Sequence, residues 1–186
     1  MIPPERDYST KWYYQCIQSR YGFNPHHLML ADAVEFFIGQ GCKVGLGGHL
    51  MGQKVTEQVA EMRSERKNAR YLPDAVLPEA LGIEADFAVA ARGGELNVIA
   101  TPLAGLRGAL RLLHAVAPST PVIWVCKGLE SGSQRLPHQI VAEELGERVP
   151  CGALTGPSFA EEVAKGLPTA ITLASADPGF AEKTAQ

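Results

Sequence analysis

Apolar positions along the chain follow two periods, one helical and one extended. Val55, Val59 and Met62 fall one helical turn apart and predict a helix over residues 53–67, which Tyr71-Leu72-Pro73-Asp74 breaks. Residues 31–38 are apolar enough for a helix, with Asp32 near the start and Gly39 and Gly41 at the end. Leu106, Leu110 and Leu113 mark the buried stripe of a third helix. Pro137, tolerated in a first helical turn, opens a fourth that reaches Leu145, and residues 159–165 read as a fifth. Short extended runs lie between them at 42–46, 96–100, 122–126, 151–154 and 169–174. The run Val122-Ile123-Trp124-Val125-Cys126 is apolar throughout, as expected of a strand covered on both faces.

Strand and helix in alternation, with short connections, predict an α/β domain: a mostly parallel sheet with helices on both faces. Residues 1–30 differ. They gather Tyr8, Trp12, Tyr13, Tyr14 and Tyr21 without a clear period or a helix cap. No element is readable there, and the expected organisation is an atypical N-terminal arm over 1–30 followed by the α/β domain over 31–186.

Composition narrows the function classes. A chain of 186 residues, 46% hydrophobic, can bury a core of its own. A net charge of −3 leaves no electrostatic footprint for nucleic acid, while small anionic ligands, held by local groups, remain possible. Cys16, Cys42, Cys126 and Cys151 show no C-x-x-C spacing and no disulfide-dense pattern, which predicts free thiols. His26, His27, His49, His114 and His138 have no metal-ligand spacing, and no metal is expected. No apolar run approaches the ~20 residues of a membrane span, and the first residues do not form a secretory signal. The expected location is cytoplasmic, with no membrane insertion.

Candidate chemistry gathers at strand ends, where open parallel sheets bind ligands. Lys127 follows the apolar strand directly, and Gly128 lets the chain turn away. An ammonium group there pairs with a phosphate or polarises a carbonyl oxygen; the alternative is a solvated lysine that merely follows a strand. Gly156-Pro157-Ser158 leads into the 159–165 helix, and Ser158 with Glu161 has the spacing of a capping box. The amides at such a helix start favour an anion, and Gly156 offers a backbone without a side chain; the alternative is an ordinary cap.

These residues also carry a resemblance. Trp124-Val125-Cys126-Lys127-Gly128-Leu129-Glu130 and Leu154-Thr155-Gly156-Pro157-Ser158-Phe159-Ala160-Glu161-Glu162, continued by Gly166-Leu167-Pro168-Thr169-Ala170, resemble bacterial-type NAD(P)-dependent glycerol-3-phosphate dehydrogenases. Asn68-Ala69-Arg70-Tyr71-Leu72-Pro73 and Ile99-Ala100-Thr101-Pro102 are similar to two further segments of that family. The resemblance runs over roughly residues 41–185 and implies a Rossmann-like fold. It also implies NAD or NADP as cofactor and reversible reduction of dihydroxyacetone phosphate to sn-glycerol 3-phosphate, a phospholipid precursor. Lys127, Gly156 and Ser158 would then bind substrate, while Lys127, Ala160, Pro102 and His49 would face the cofactor.

Two departures from the family follow. Its Gly-x-Gly-x-x-Gly turn, which brings backbone amides to a pyrophosphate, has as its expected counterpart Pro25-His26-His27-Leu28-Met29-Leu30, with no glycine. Gly45-Leu46-Gly47-Gly48-His49-Leu50-Met51-Gly52 is a poor substitute, with Leu50 at the third glycine position. The family's proton-transfer lysine lies in a separate C-terminal helical domain, and Lys183 does not match its motif. The expectations are therefore a Rossmann-like domain incomplete for catalysis, without that helical domain, weakened in cofactor binding and prone to self-association. Rival readings are a non-catalytic, partner-binding fragment and a related dehydrogenase of hydroxyacid type.

Overall fold

The computed structural model describes residues 11–17, 43–49, 53–69, 72–77, 79, 81–92, 94–156, 163–164, 167–168 and 170–185. In chain order the elements begin with strands β1 (Lys11–Ile17) and β2 (Lys43–His49), helix α1 (Gln53–Glu65), and strands β3 (Lys67–Asn68), β4 (Leu72–Val76) and β5 (Gly82–Glu84). Helix α2 (Phe87–Arg92), strand β6 (Asn97–Ile99), helix α3 (Leu103–Val116), strand β7 (Val122–Trp124) and helix α4 (Pro137–Leu145) follow. Strands β8 (Cys151–Thr155) and β9 (Thr172–Ala174) and helix α5 (Pro178–Ala185) complete the order.

Seven strands form one sheet in the order β5-β2-β1-β6-β7-β8-β9, and β3 pairs with β4 in a separate hairpin. All neighbours in the large sheet are parallel except β8 and β9. Leaving β9 aside, the order reads 3-2-1-4-5-6, the arrangement of dinucleotide-binding folds.

The first strand corrects the sequence reading. Lys11–Ile17, expected to lie in an arm without an element, is the strand from which both halves of the sheet extend. Tyr14 is in register with Leu46 of β2 on one side and Val98 of β6 on the other. Aromatic residues favour extended backbone, but the pairing is long-range and leaves no local mark such as a cap or a turn. The predicted helix over 31–38 and most of that over 159–165 lie outside the described residues.

The sheet carries a core on each face. Val98, Ala100, Ile123, Val125 and Leu154 point to one side, where Val59 and Met62 of α1 pack with Leu77, Leu81 and Ile83. Ile99, Val122, Trp124 and Cys126 point to the other, against Leu106, Leu110 and Leu113 of α3 and Ile140, Val141 and Leu145 of α4. This strict alternation is the two-residue period of strands, and it explains why 122–126 reads as apolar throughout.

Local chemistry sets the helix ends. Arg66 adopts a left-handed φ of 52°, and its N–H donates to the Met62 carbonyl at 3.0 Å, so α1 stops before the predicted Lys67. Asp86 caps α2, its Oδ1 accepting from the N–H groups of Ala88 and Val89 at 2.8 and 3.1 Å. Asp177 does the same for α5 through Phe180 N–H at 3.1 Å. Pro137 is the first residue of α4, and the Gln139 side chain accepts from Leu136 N–H at 2.9 Å.

Candidate functional site

Because β2, β1, β6, β7 and β8 are parallel, their carboxyl ends lie along one edge of the sheet, spaced by about 4.8 Å per strand. Four candidates from the sequence fall along that edge. His49 is the last residue of β2, in register with Ile17 at the end of β1. Pro102 follows β6, Lys127 follows β7, and Gly156 follows β8. The strand order reverses between β1 and β6, so Pro102 stands beside the crevice where such sheets bind ligands, with Lys127 one strand further out. His49 lies three strands from Lys127, roughly 14 Å at that spacing. Ser158 and Ala160 lie outside the described residues.

Each position is built from its neighbours. Pro102 is buried and stands as the cap residue of α3, and no side chain among the described residues caps that helix. Thr101, just before it, is fully buried, and its hydroxyl has no hydrogen-bond partner among the described residues. A buried hydroxyl ordinarily has one, so an unmatched one beside an uncapped helix start suits an oxygen-rich ligand. Lys127 is exposed, and Gly128 takes φ +109°, a conformation that side chains resist. A β-carbon on Gly128 would sit 3.6 Å from Leu103 Cδ2, which places the Lys127 turn against the first residue of α3.

Cys126 adjoins Lys127 but is no nucleophile. It is buried, and burial pushes its thiol up to about 12, so the reactive thiolate is scarce near neutral pH. Cys151, half-buried, shifts upward for the same reason.

Gly156 holds a different relation from the one its sequence position suggests. The space a β-carbon would fill is taken by the Ala170 carbonyl and by Ile171. The close approach there is made by the protein's own backbone as it enters β9.

Sequence reasoning missed Thr101, Arg107 and Glu130. Glu130 closes the family-like Lys127-Gly128-Leu129-Glu130 run and accepts a two-pronged contact from Arg107 of α3. Its partner Arg107 lies 23 residues earlier in the chain, within no recognisable motif. Among the described residues, no group of three or more His, Cys, Asp or Glu is placed to hold a metal ion. No helix among them is long and apolar enough to cross a membrane.

A family model described as the N-terminus of NAD-dependent glycerol-3-phosphate dehydrogenase matches residues 39–181. The chain belongs to that family. A glycerol-3-phosphate dehydrogenase (NAD(P)+) of Aromatoleum aromaticum is 57% identical over 122 residues, which are 66% of this chain and 37% of that protein. Its counterpart in Dechloromonas aromatica is 54% identical over 126 residues, 68% of this chain and 38% of that one. The chain thus spans well under half the length of these curated relatives. Among solved structures, the glycerol-3-phosphate dehydrogenase of Coxiella burnetii superposes with a TM-score of 0.76 at 31% identity, over 94% of this chain and 50% of that one. That of Plasmodium falciparum shares the fold, with a TM-score of 0.72 at 17% identity over 95% of this chain and 48% of that one. The glycerol-3-phosphate dehydrogenase family therefore supplies the Rossmann-like frame in which Pro102, Lys127 and Gly156 sit.

Proposed function

We propose that this chain is the dinucleotide-binding part of a glycerol-3-phosphate dehydrogenase, with NAD or NADP lying across the β1–β6 crevice. The observation that carries this reading is the placement of Pro102 and Lys127 at adjacent strand ends beside the switch point of a 3-2-1-4-5-6 sheet. The described residues fit such a ligand: the unpartnered Thr101 hydroxyl and the uncapped start of α3 meet it on the nicotinamide side. The pyrophosphate side is less well provided. The family's glycine turn follows the first strand, so with β1 at Lys11–Ile17 its counterpart in the sequence is Gln18-Ser19-Arg20-Tyr21-Gly22-Phe23, not the expected Pro25–Leu30 run, and it has a single glycine.

A nicotinamide dinucleotide held in that crevice would supply the hydride for reducing the carbonyl carbon of dihydroxyacetone phosphate. Lys127 holds the substrate through its phosphate or carbonyl oxygen, with Gly156 and Ser158 lining the same pocket. Ala160 and His49 border the cofactor. The proton for the carbonyl oxygen comes, on this reading, from a lysine that the family carries in its helical domain. The product is sn-glycerol 3-phosphate, a precursor for phospholipids in the cytoplasm.

The test is NADH or NADPH oxidation with a panel of dihydroxyacetone phosphate, pyruvate and other small oxo acids. Residual turnover with dihydroxyacetone phosphate, abolished by Lys127→Met, supports the reading. Turnover with an oxo acid and none with dihydroxyacetone phosphate overturns the substrate.

A further inference from the structure

Residues 125–136 carry the chain from β7 to α4, and nearly all side chains from Lys127 onward are exposed, Leu129 and Leu136 among them. A segment so poorly buried gains little from apolar packing and depends on polar contacts for its order. Those contacts centre on one carboxylate. Arg107 donates from Nε to Glu130 Oε1 and from Nη2 to Glu130 Oε2, both at 2.8 Å. Ser133 Oγ donates to Glu130 Oε2 at 2.5 Å. Glu130 N–H donates to the Arg135 carbonyl at 2.8 Å and Gln134 N–H to the Glu130 carbonyl at 2.9 Å, so the segment closes on itself.

Arg107 is fixed in turn. Its Nη1 donates to Glu144 at 2.6 Å and its Nη2 to Glu143 at 2.8 Å, both on α4. Arg111 pairs with Glu144 and Arg135 with Glu143, each at 3.0 Å. The start of the same helix α3 meets Gly128 through Leu103. One helix therefore borders the Lys127 turn at Leu103 and is bonded to it through Arg107.

We propose that Arg107 and Glu130 are positioning residues for Lys127, tying its turn to α3 so that the amine keeps a fixed place beside Pro102. The inference rests on the reading of Lys127 as a substrate-binding group. A planar guanidinium meeting a carboxylate with two parallel bonds fixes orientation as well as distance, which a lysine in its place does not. The Arg107 bonds, then the Ser133 bond, hold the Glu130 carboxyl down at about 2, so the tie is ionised at any pH where the protein works.

The experiment compares the full chain with Glu130→Gln, Arg107→Lys and a control, Glu84→Gln, which breaks the Arg63–Glu84 pair elsewhere. Amide hydrogen exchange over 127–136, the melting temperature and a titration with dihydroxyacetone phosphate are read for each. Glu130→Gln should raise exchange in that segment and weaken binding of the triose phosphate by about tenfold, the size of one charge-assisted bond. Arg107→Lys should show a smaller loss, and Glu130→Gln should still unfold in one cooperative transition, as Glu84→Gln does. Equal binding by wild type and Glu130→Gln overturns the positioning role alone. No binding by the wild type overturns the Lys127 reading and the positioning role with it, whatever the exchange shows.

Discussion

A β-carbon on Gly156 would lie 2.9 Å from the Cα of Ile171, closer than any real packing allows. The glycine that ends β8 thus lets the chain return alongside it as β9, where Leu154 faces Leu173 and Thr155 faces Thr172. Gly156→Ala should cost about 1–3 kcal/mol through overpacking, seen as a drop of several degrees in the thermal midpoint. Gly108 is the contrasting case. It lies inside α3 with nothing within 4 Å of a β-carbon, so Gly108→Ala should stabilise by about 0.5–1 kcal/mol.

The core beneath the rim should be intolerant of truncation. Leu110 of α3 and Ile123 of β7 are both fully buried, in the cores on opposite faces of the sheet. Leu110→Ala and Ile123→Ala should each cost about 2–5 kcal/mol in denaturant unfolding, and the two effects should be nearly additive.

The Glu130 tie has a defined acid limit. Its carboxyl is held at about 2 in the fold, below the ordinary glutamate range, so its contribution is fully present above that range. As pH falls from about 4.3 towards 2, the folded and unfolded states differ in bound protons and the contribution is lost. The difference in melting temperature between wild type and Glu130→Gln should be constant from neutral pH to pH ~5 and shrink below that. A difference that shrinks between neutral pH and pH ~6 would contradict the assignment.

Thiol labelling should separate Cys126 from Cys151. Cys126 is buried and its thiol is held near 12, whereas Cys151 is only half-buried. Peptide-resolved alkylation of the native protein at pH ~8 should leave Cys126 unmodified for longer than Cys151. Equal rates would mean that the strand end next to Lys127 opens readily.

How far the sequence reveals the fold depends on where the signal lies. The start of helix α4 was legible because Pro137 marks its first turn, and its end falls near the expected Leu145. The apolar run at β7 was legible because both faces of the sheet are covered. β1 was not, since its position depends on β2 and β6, which come together only in three dimensions. The caps Asp86 and Asp177 stand in plain view, yet α2 and α5 are short and lack a long apolar stripe, so both went unread. At the site, Lys127 could be placed from the strand before it. The Thr101 hydroxyl and the Arg107–Glu130 pair become visible only once α3 is laid beside the Lys127 turn.

The central claim, that the β1–β6 edge of this sheet takes a nicotinamide dinucleotide, is tested most directly by calorimetric titration with NADH and NADPH. Saturable one-to-one binding, weakened in Lys127→Met, is the predicted result. Absence of binding up to millimolar nucleotide would contradict it and leave a family fold that has lost its ligand.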